Sequence, residues 1–211
     1  MKKYELTDDT ITVGGRILHR IKALKSFSDV EEGDLGGYVE KEDNLDQSKN
    51  AWVSENARVC GDALVYGDAQ VYGDARVCGD ARVCGNARVC GNAQVYGDAL
   101  VYGEALVYGD ARVYGNARVY GDARVCGNAR VCGNAQVSEE NDYTTAKGFG
   151  RNYRTTTFFR LQDGGIGVRC GCFCGTLEEF REKVKETHKE SKMGKEYLML
   201  ADLMEYKFKN A

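Results

Sequence analysis

The sequence predicts a mainly β chain. A triangular parallel β-solenoid sits between a small N-terminal β cap and a C-terminal ββαα module. Three observations carry that prediction. Valine recurs every six residues without a gap from Val53 to Val137, and alanine keeps the same period from Ala51 to Ala135. Nearly every hexad ends in Gly-Asp or Gly-Asn. The 211 residues include no proline.

The hexad is A-x-V-(Y/C)-G-(D/N). Strand alternation puts Ala and Val on one face, and x with Tyr or Cys on the other. Glycine followed by Asp or Asn tolerates the left-handed backbone of a tight corner. A chain of short strands with one apolar face buries that face by closing on itself, and three hexads per coil make a triangular prism. Proline would remove ladder donors, so its absence fits. Val53 to Val137 supplies fifteen hexads, or five coils. At about 4.8 Å per strand the prism is roughly 25 Å long. This array resembles the hexapeptide-repeat left-handed β-helix, in which an aliphatic and a small residue of each hexad point inward. The resemblance implies a left-handed parallel solenoid.

Eighteen-residue coils sort the outward positions into three faces. One carries Arg58, Arg76, Gln94, Arg112 and Arg130, beside Cys60, Cys78, Tyr96, Tyr114 and Cys132. The second carries Trp52, Gln70, Arg88, Leu106 and Arg124, and the third Leu64, Arg82, Leu100, Arg118 and Gln136. Arginines beside tyrosines can bind an anion, a nucleotide or an acidic protein surface. Arg58, Arg76, Tyr96, Arg112, Tyr114 and Arg130 are therefore candidates for an interaction face. The alternative is a solvated strand face neutralised by corner Asp.

The chain divides into residues 1–50, 51–138 and 139–211. In the first, YEL, TITV and RILHRIKAL read as strands, with Gly14-Gly15 as a turn. Leu35, Val39 and Leu45 fall on the inward register of the repeat, so this region reads as a cap over degenerate lead-in coils. In the third, a hairpin turns at Asp163-Gly164-Gly165. Thr176 and Glu179 form a capping box ahead of TLEEFREKVKETH, and KEYLMLADLMEYKF reads as a second helix.

Gly148, Gly150, Arg151, Tyr153, Arg154 and Thr156, with Arg169, combine glycine amides, hydroxyls and guanidiniums, the groups an anion site uses. The other reading is a linker from solenoid to cap. Cys170, Cys172 and Cys174 share a face if they lie on one strand. They read as small core residues, with a reactive thiol near Thr176 as the alternative. Three cysteines along one strand are too extended to chelate one ion, so no metal site is expected.

Net charge is −3, which gives no strong nucleic-acid signal. The chain has no long apolar run and no apolar segment after Met-Lys-Lys, which predicts a cytoplasmic protein off the membrane. Nine cysteines, an odd number, are then expected to be reduced.

The stretch GDLGGYVEKEDNL, the array, and the ending RCGCFCGTLEEF…KETH…KEYL together resemble phage- and prophage-type proteins. These are often labelled polymer-forming cytoskeletal or hexapeptide-transferase-like. A hexapeptide acyltransferase needs a histidine base near a cleft between coils, yet His19 and His188 both lie outside the array. The expectation is a non-enzymatic, cofactor-free binding protein of phage counter-defence type. Trimeric assembly is expected, with Leu64, Leu100 and Leu106 as contacts. It would sequester a small anionic, nucleotide-like ligand or grip a host protein. A self-assembling scaffold is the main alternative, and an acyltransferase the lesser one.

Overall fold

The computed structural model describes residues 2–150 and 153–209. Strands β1 (Tyr4–Val13) and β2 (Arg16–Ala23) pair antiparallel about Gly14-Gly15, both at positive φ. The register shifts between Leu6 and Thr10, so YEL and TITV join as one irregular strand. Strand β3 (Leu35–Val39) pairs antiparallel with β2 and parallel with the first face of the array, which leads the chain into the solenoid.

Among the described residues, fifteen short strands, β4–β18, run from Trp52–Val53 to Gln136–Val137. They form three parallel sheets that carry the three predicted faces in the predicted order. The array's Val and Ala side chains are buried without exception. Gly73 shows why the corners need glycine. Its φ is +75°, and a Cβ there would lie 2.9 Å from the backbone nitrogen of Gly91 on the next coil.

The lead-in coil departs from the strict count. Val39 pairs with Val59 and Leu45 with Val65, a step of 20 residues where the array steps by 18. Two extra residues in the corner between Leu45 and Ala51 absorb the difference. Val39 and Leu45 are buried as expected, but Leu35 is not: it lies beside Lys22 of β2 and is 56% exposed.

The parallel ladder has a polarity. Arg76 donates to the Ala93 carbonyl at 2.9 Å, Cys78 to Val95 at 3.0 Å and Asp80 to Gly97 at 3.0 Å. These N–H groups point toward the C-terminal end, while the valine N–H of each parallel strand pair points the other way, so the N-terminal end presents an excess of carbonyls that need donors. Lys3 Nζ donates to the Lys49 and Ala51 carbonyls at 2.8 and 2.7 Å. Asn44 Nδ2 donates to Gly61 and Ala63 at 3.0 and 2.8 Å. The Tyr4 hydroxyl lies 2.8 and 2.9 Å from the Glu42 and Leu45 carbonyls. Burial pulls the Lys3 ammonium down to about 8, against the opposing field of Asp46.

The C-terminal end needs acceptors. Thr157 Oγ1 accepts from the Arg130 N–H at 2.9 Å, the Tyr143 hydroxyl from Cys126 at 3.3 Å, and Asp142 Oδ2 from Ser138 at 2.8 Å. These groups belong to a larger module than the predicted ββαα. Strands β19 (Tyr143–Phe149), β20 (Arg154–Arg160), β21 (Ile166–Cys170) and β22 (Phe173–Thr176) form an antiparallel sheet. Helices α1 (Leu177–His188) and α2 (Lys192–Lys209) follow. The hairpin and the Thr176–Glu179 capping box stand as read. Of the segment read as an anion site or a linker, Gly148 lies at the end of the edge strand β19 and Arg154 and Thr156 at the start of the inner strand β20, and the cysteine-rich stretch folds back as the other edge.

The sheet is a divider. Phe158 and Val168 pack with Phe180, Val184 and Tyr197 of the helices, while Phe159 joins the solenoid core. Among the described residues, no helix is long and apolar enough to cross a membrane.

Candidate functional site: the seam between solenoid and C-terminal sheet

The chain turns at Gly171-Cys172, with Gly171 at φ +61°. The three cysteines therefore do not share a face. Cys170 packs toward the helices, Cys172 is exposed in the turn, and Cys174 faces the last coil. Cys174 forms a disulfide with Cys132, contrary to the expectation of reduced, unpaired cysteines. The bond ties the last coil to β22.

The same turn places the arginines. Arg169 sits on the solenoid side of β21, with its guanidinium carbon 5.8 Å from the centre of the Tyr114 ring. One of its terminal nitrogens donates to the Cys172 carbonyl at 2.9 Å. Its Nε–H is buried and meets no protein acceptor. Tyr114 stacks on Tyr96 with ring centres 4.9 Å apart and planes within 2° of parallel. Burial, then the neighbouring Tyr114, pushes the Tyr96 hydroxyl above its ordinary value, and Arg112, Arg169 and Arg130 all act to lower it. Arg169 is the guanidinium that lies over this tyrosine pair.

Arg154 begins β20, and its guanidinium lies on Gly171, where a Cβ would overlap Nη1. With Arg130 and Arg169 it lines a cleft of about 510 Å³, completed by Asn128, Thr155, Gly171 and Cys172. Among the described residues, no Asp or Glu lines that cleft. The ion pairs among the described residues that use arginine involve Arg16, Arg20, Arg160 and Arg181. Among the described residues, neither the cleft arginines nor those of the array come within 4.0 Å of a carboxylate, so the corner aspartates do not neutralise the array in direct pairs.

A second cleft, about 780 Å³, opens on the helix side of the same turn. Arg154 and Cys172 line it too, with Phe173, Phe180, Val184, Met193 and Tyr197 as its apolar wall. Thr156 Oγ1 donates to Cys170 Sγ at 3.3 Å, and that sulfur lies 3.8 Å from the Tyr197 hydroxyl. Burial, reinforced by Cys170, pushes Tyr197 up to about 12.

The structure thus unites Arg130 and Tyr114 from the predicted face with Arg154 and Arg169 from the predicted anion segment. Tyr96 and Arg112 stay beside Tyr114 in the same sheet, and most of the others are separated. Arg58 and Arg76 lie toward the far end of the sheet. Gly150 lines the second cleft, Thr156 is buried, Gly148 is exposed on β19, and Tyr153 is 71% exposed. Arg151 lies outside the described residues. Leu64, Leu100 and Leu106 are only half-buried and stack against Arg82, Arg118, Arg88 and Arg124, so they form no continuous apolar patch.

The array is similar to the YdcK beta solenoid repeat family, whose repeat matches residues 57–73, 69–84, 81–93, 93–109, 111–126 and 123–139. No curated protein matches the chain significantly. The matched segments cover the solenoid and stop short of Arg154 and Arg169, so the similarity is one of scaffold, a β-solenoid repeat.

Proposed function

We propose that this β-solenoid is a non-enzymatic binding protein that holds a small polyanion of pyrophosphate or nucleotide type at the seam. One observation carries the reading: Arg130, Arg154 and Arg169, drawn from two modules, line one cleft that contains no carboxylate. Like charges in a shared cleft repel, and a multiply charged anion reverses that cost. Guanidinium forks suit phosphate oxygens, and charge-assisted bonds are the strong ones. The setting, on this reading, is sequestration of the kind implied by the phage-type resemblance.

Titration of the full chain with inorganic pyrophosphate tests it. Arg154→Ala and Arg169→Ala should each weaken binding by about tenfold or more, since hydrogen bonds to charged groups contribute roughly 1.5–3 kcal/mol. Affinity should also fall as salt rises. Unchanged affinity in both variants would remove the cleft as the site.

A self-assembling scaffold is the second reading. The solenoid fold supports it, as do Met199 and Leu203, 71% and 57% exposed one turn apart on α2. Native mass spectrometry reads subunit number and any retained small molecule together. A trimer that loses its symmetry contacts in Leu203→Glu favours the scaffold.

A further inference from the structure

The anion cleft and the larger cleft beside it meet at one side chain. Arg154 lines both, and its guanidinium rests on Gly171, at the turn that separates them. Only a glycine there lets the guanidinium cross. Cys172 of the same turn lines both as well.

The two clefts share a sign of charge but differ in texture. The smaller is lined by arginines and small polar groups. The larger has four ring-bearing walls, Phe173, Phe180, His188 and Tyr197. The Phe180 and Tyr197 rings meet edge to face at 5.7 Å, and His188 leans on Tyr197 at 5.7 Å. The Thr187 and Lys183 side chains reach its rim, and no carboxylate lines it. Each volume, about 510 and 780 Å³, falls in the range of small-molecule sites.

We infer that the two clefts form one bipartite site for a ligand with an anionic head and a flat aromatic body, as in a nucleotide. This inference rests on the anion-binding reading above. The head meets Arg130, Arg154 and Arg169, and the body enters among the rings. Aromatic walls with a hydroxyl and an imidazole at hand suit a heteroaromatic body, which stacks and also hydrogen-bonds. An alkyl chain would leave those polar groups unused.

Calorimetric titrations of the full chain with adenosine diphosphate, inorganic pyrophosphate and decyl phosphate test this. Adenosine diphosphate should bind at least tenfold more tightly than pyrophosphate and should be displaced by it. Thr187→Trp, at an exposed helix position on the rim, should lower diphosphate affinity to the pyrophosphate level and leave pyrophosphate unchanged. Arg169→Ala should weaken both. Equal affinities for adenosine diphosphate and pyrophosphate, insensitive to Thr187→Trp, would overturn the bipartite site while leaving the anion cleft standing. Nucleotide binding that pyrophosphate cannot displace would show two separate sites, which also overturns it. Decyl phosphate binding as tightly as the nucleotide would overturn the aromatic assignment. Failure of pyrophosphate itself to bind counts against the anion-binding reading instead.

Discussion

The two ends of the solenoid face opposite problems, and their chemistry differs accordingly. The N-terminal end presents mainly carbonyls and is sealed chiefly by donors: a lysine ammonium, an asparagine amide and a tyrosine hydroxyl. The C-terminal end presents mainly N–H groups and is met chiefly by acceptors: a threonine hydroxyl, a tyrosine hydroxyl and a carboxylate. The donor cap is local, since Lys3, Tyr4 and Asn44 all lie within the first 45 residues. The acceptor cap is a separate sheet laid across the last coil, and a laid-on sheet leaves clefts along its margin. The excess of carbonyls at one end and of N–H groups at the other thus favours different side chains at the two ends, and the proposed site lies where closure is by docking.

Breaking the donor cap should have the largest effect. Lys3→Met leaves the Lys49 and Ala51 carbonyls without their donor. At about 1–3 kcal/mol per unsatisfied buried group, stability should fall by roughly 2–6 kcal/mol, read by thermal or urea unfolding. Little or no loss would show that these carbonyls find other partners.

The same lysine makes stability depend on pH. Its folded value, about 8, lies below the ordinary 10.5. Between those values the unfolded chain holds a proton that the folded chain has released, so stability should rise with pH from about 8 toward 10. The rise should be on the order of 1–3 kcal/mol, and the neutral amine still donates to both carbonyls. Above pH 10 the trend should reverse, because Tyr4 and Tyr197 titrate higher in the folded chain than in the unfolded one. Urea unfolding of wild type and Lys3→Met across this range checks it, and the variant should lack the rise.

At the acceptor end Thr157→Val removes the partner of the Arg130 N–H. The expected cost is about 1–2 kcal/mol, smaller than at the donor end because one bond is lost rather than two. Pyrophosphate binding should weaken with it, since the same residue supplies a cleft guanidinium. The smallest effect belongs to the array between the ends. Asn92 Nδ2 donates to Asp110 Oδ1 at 3.1 Å, in a corner column where Asn and Asp alternate. Asn92→Asp puts three like charges in a row and should cost under about 1 kcal/mol, less at high salt.

The array was legible because every hexad repeats the same local solution. Period, face assignment and corner chemistry follow from alternation and glycine alone. The lead-in coil was half-legible: Val39 and Leu45 are inside, but a two-residue corner insertion breaks the count, and Leu35 lies exposed where β3 pairs with β2. The C-terminal sheet was read short by two strands. Tyr143–Phe149 has little apolar alternation, because an edge strand of a laid-on sheet buries little. The Gly171-Cys172 turn sat unseen inside a cysteine run, and it decides which face each cysteine and Arg169 takes. Arg154 and Arg169 were legible as chemistry. Their meeting with Arg130 was not, because it depends on how the sheet lies on the last coil, and no residue spacing records that.

On the proposed reading, anion binding belongs to the seam and not to the arginine face as a whole. Arg58 and Arg130 occupy equivalent hexad positions in one sheet, near opposite ends. Calorimetric titration of pyrophosphate into Arg58→Ala and Arg130→Ala compares them directly. The account predicts wild-type affinity in Arg58→Ala and a loss of about tenfold or more in Arg130→Ala. Equal losses in the two would contradict it and assign binding to the ladder along the solenoid.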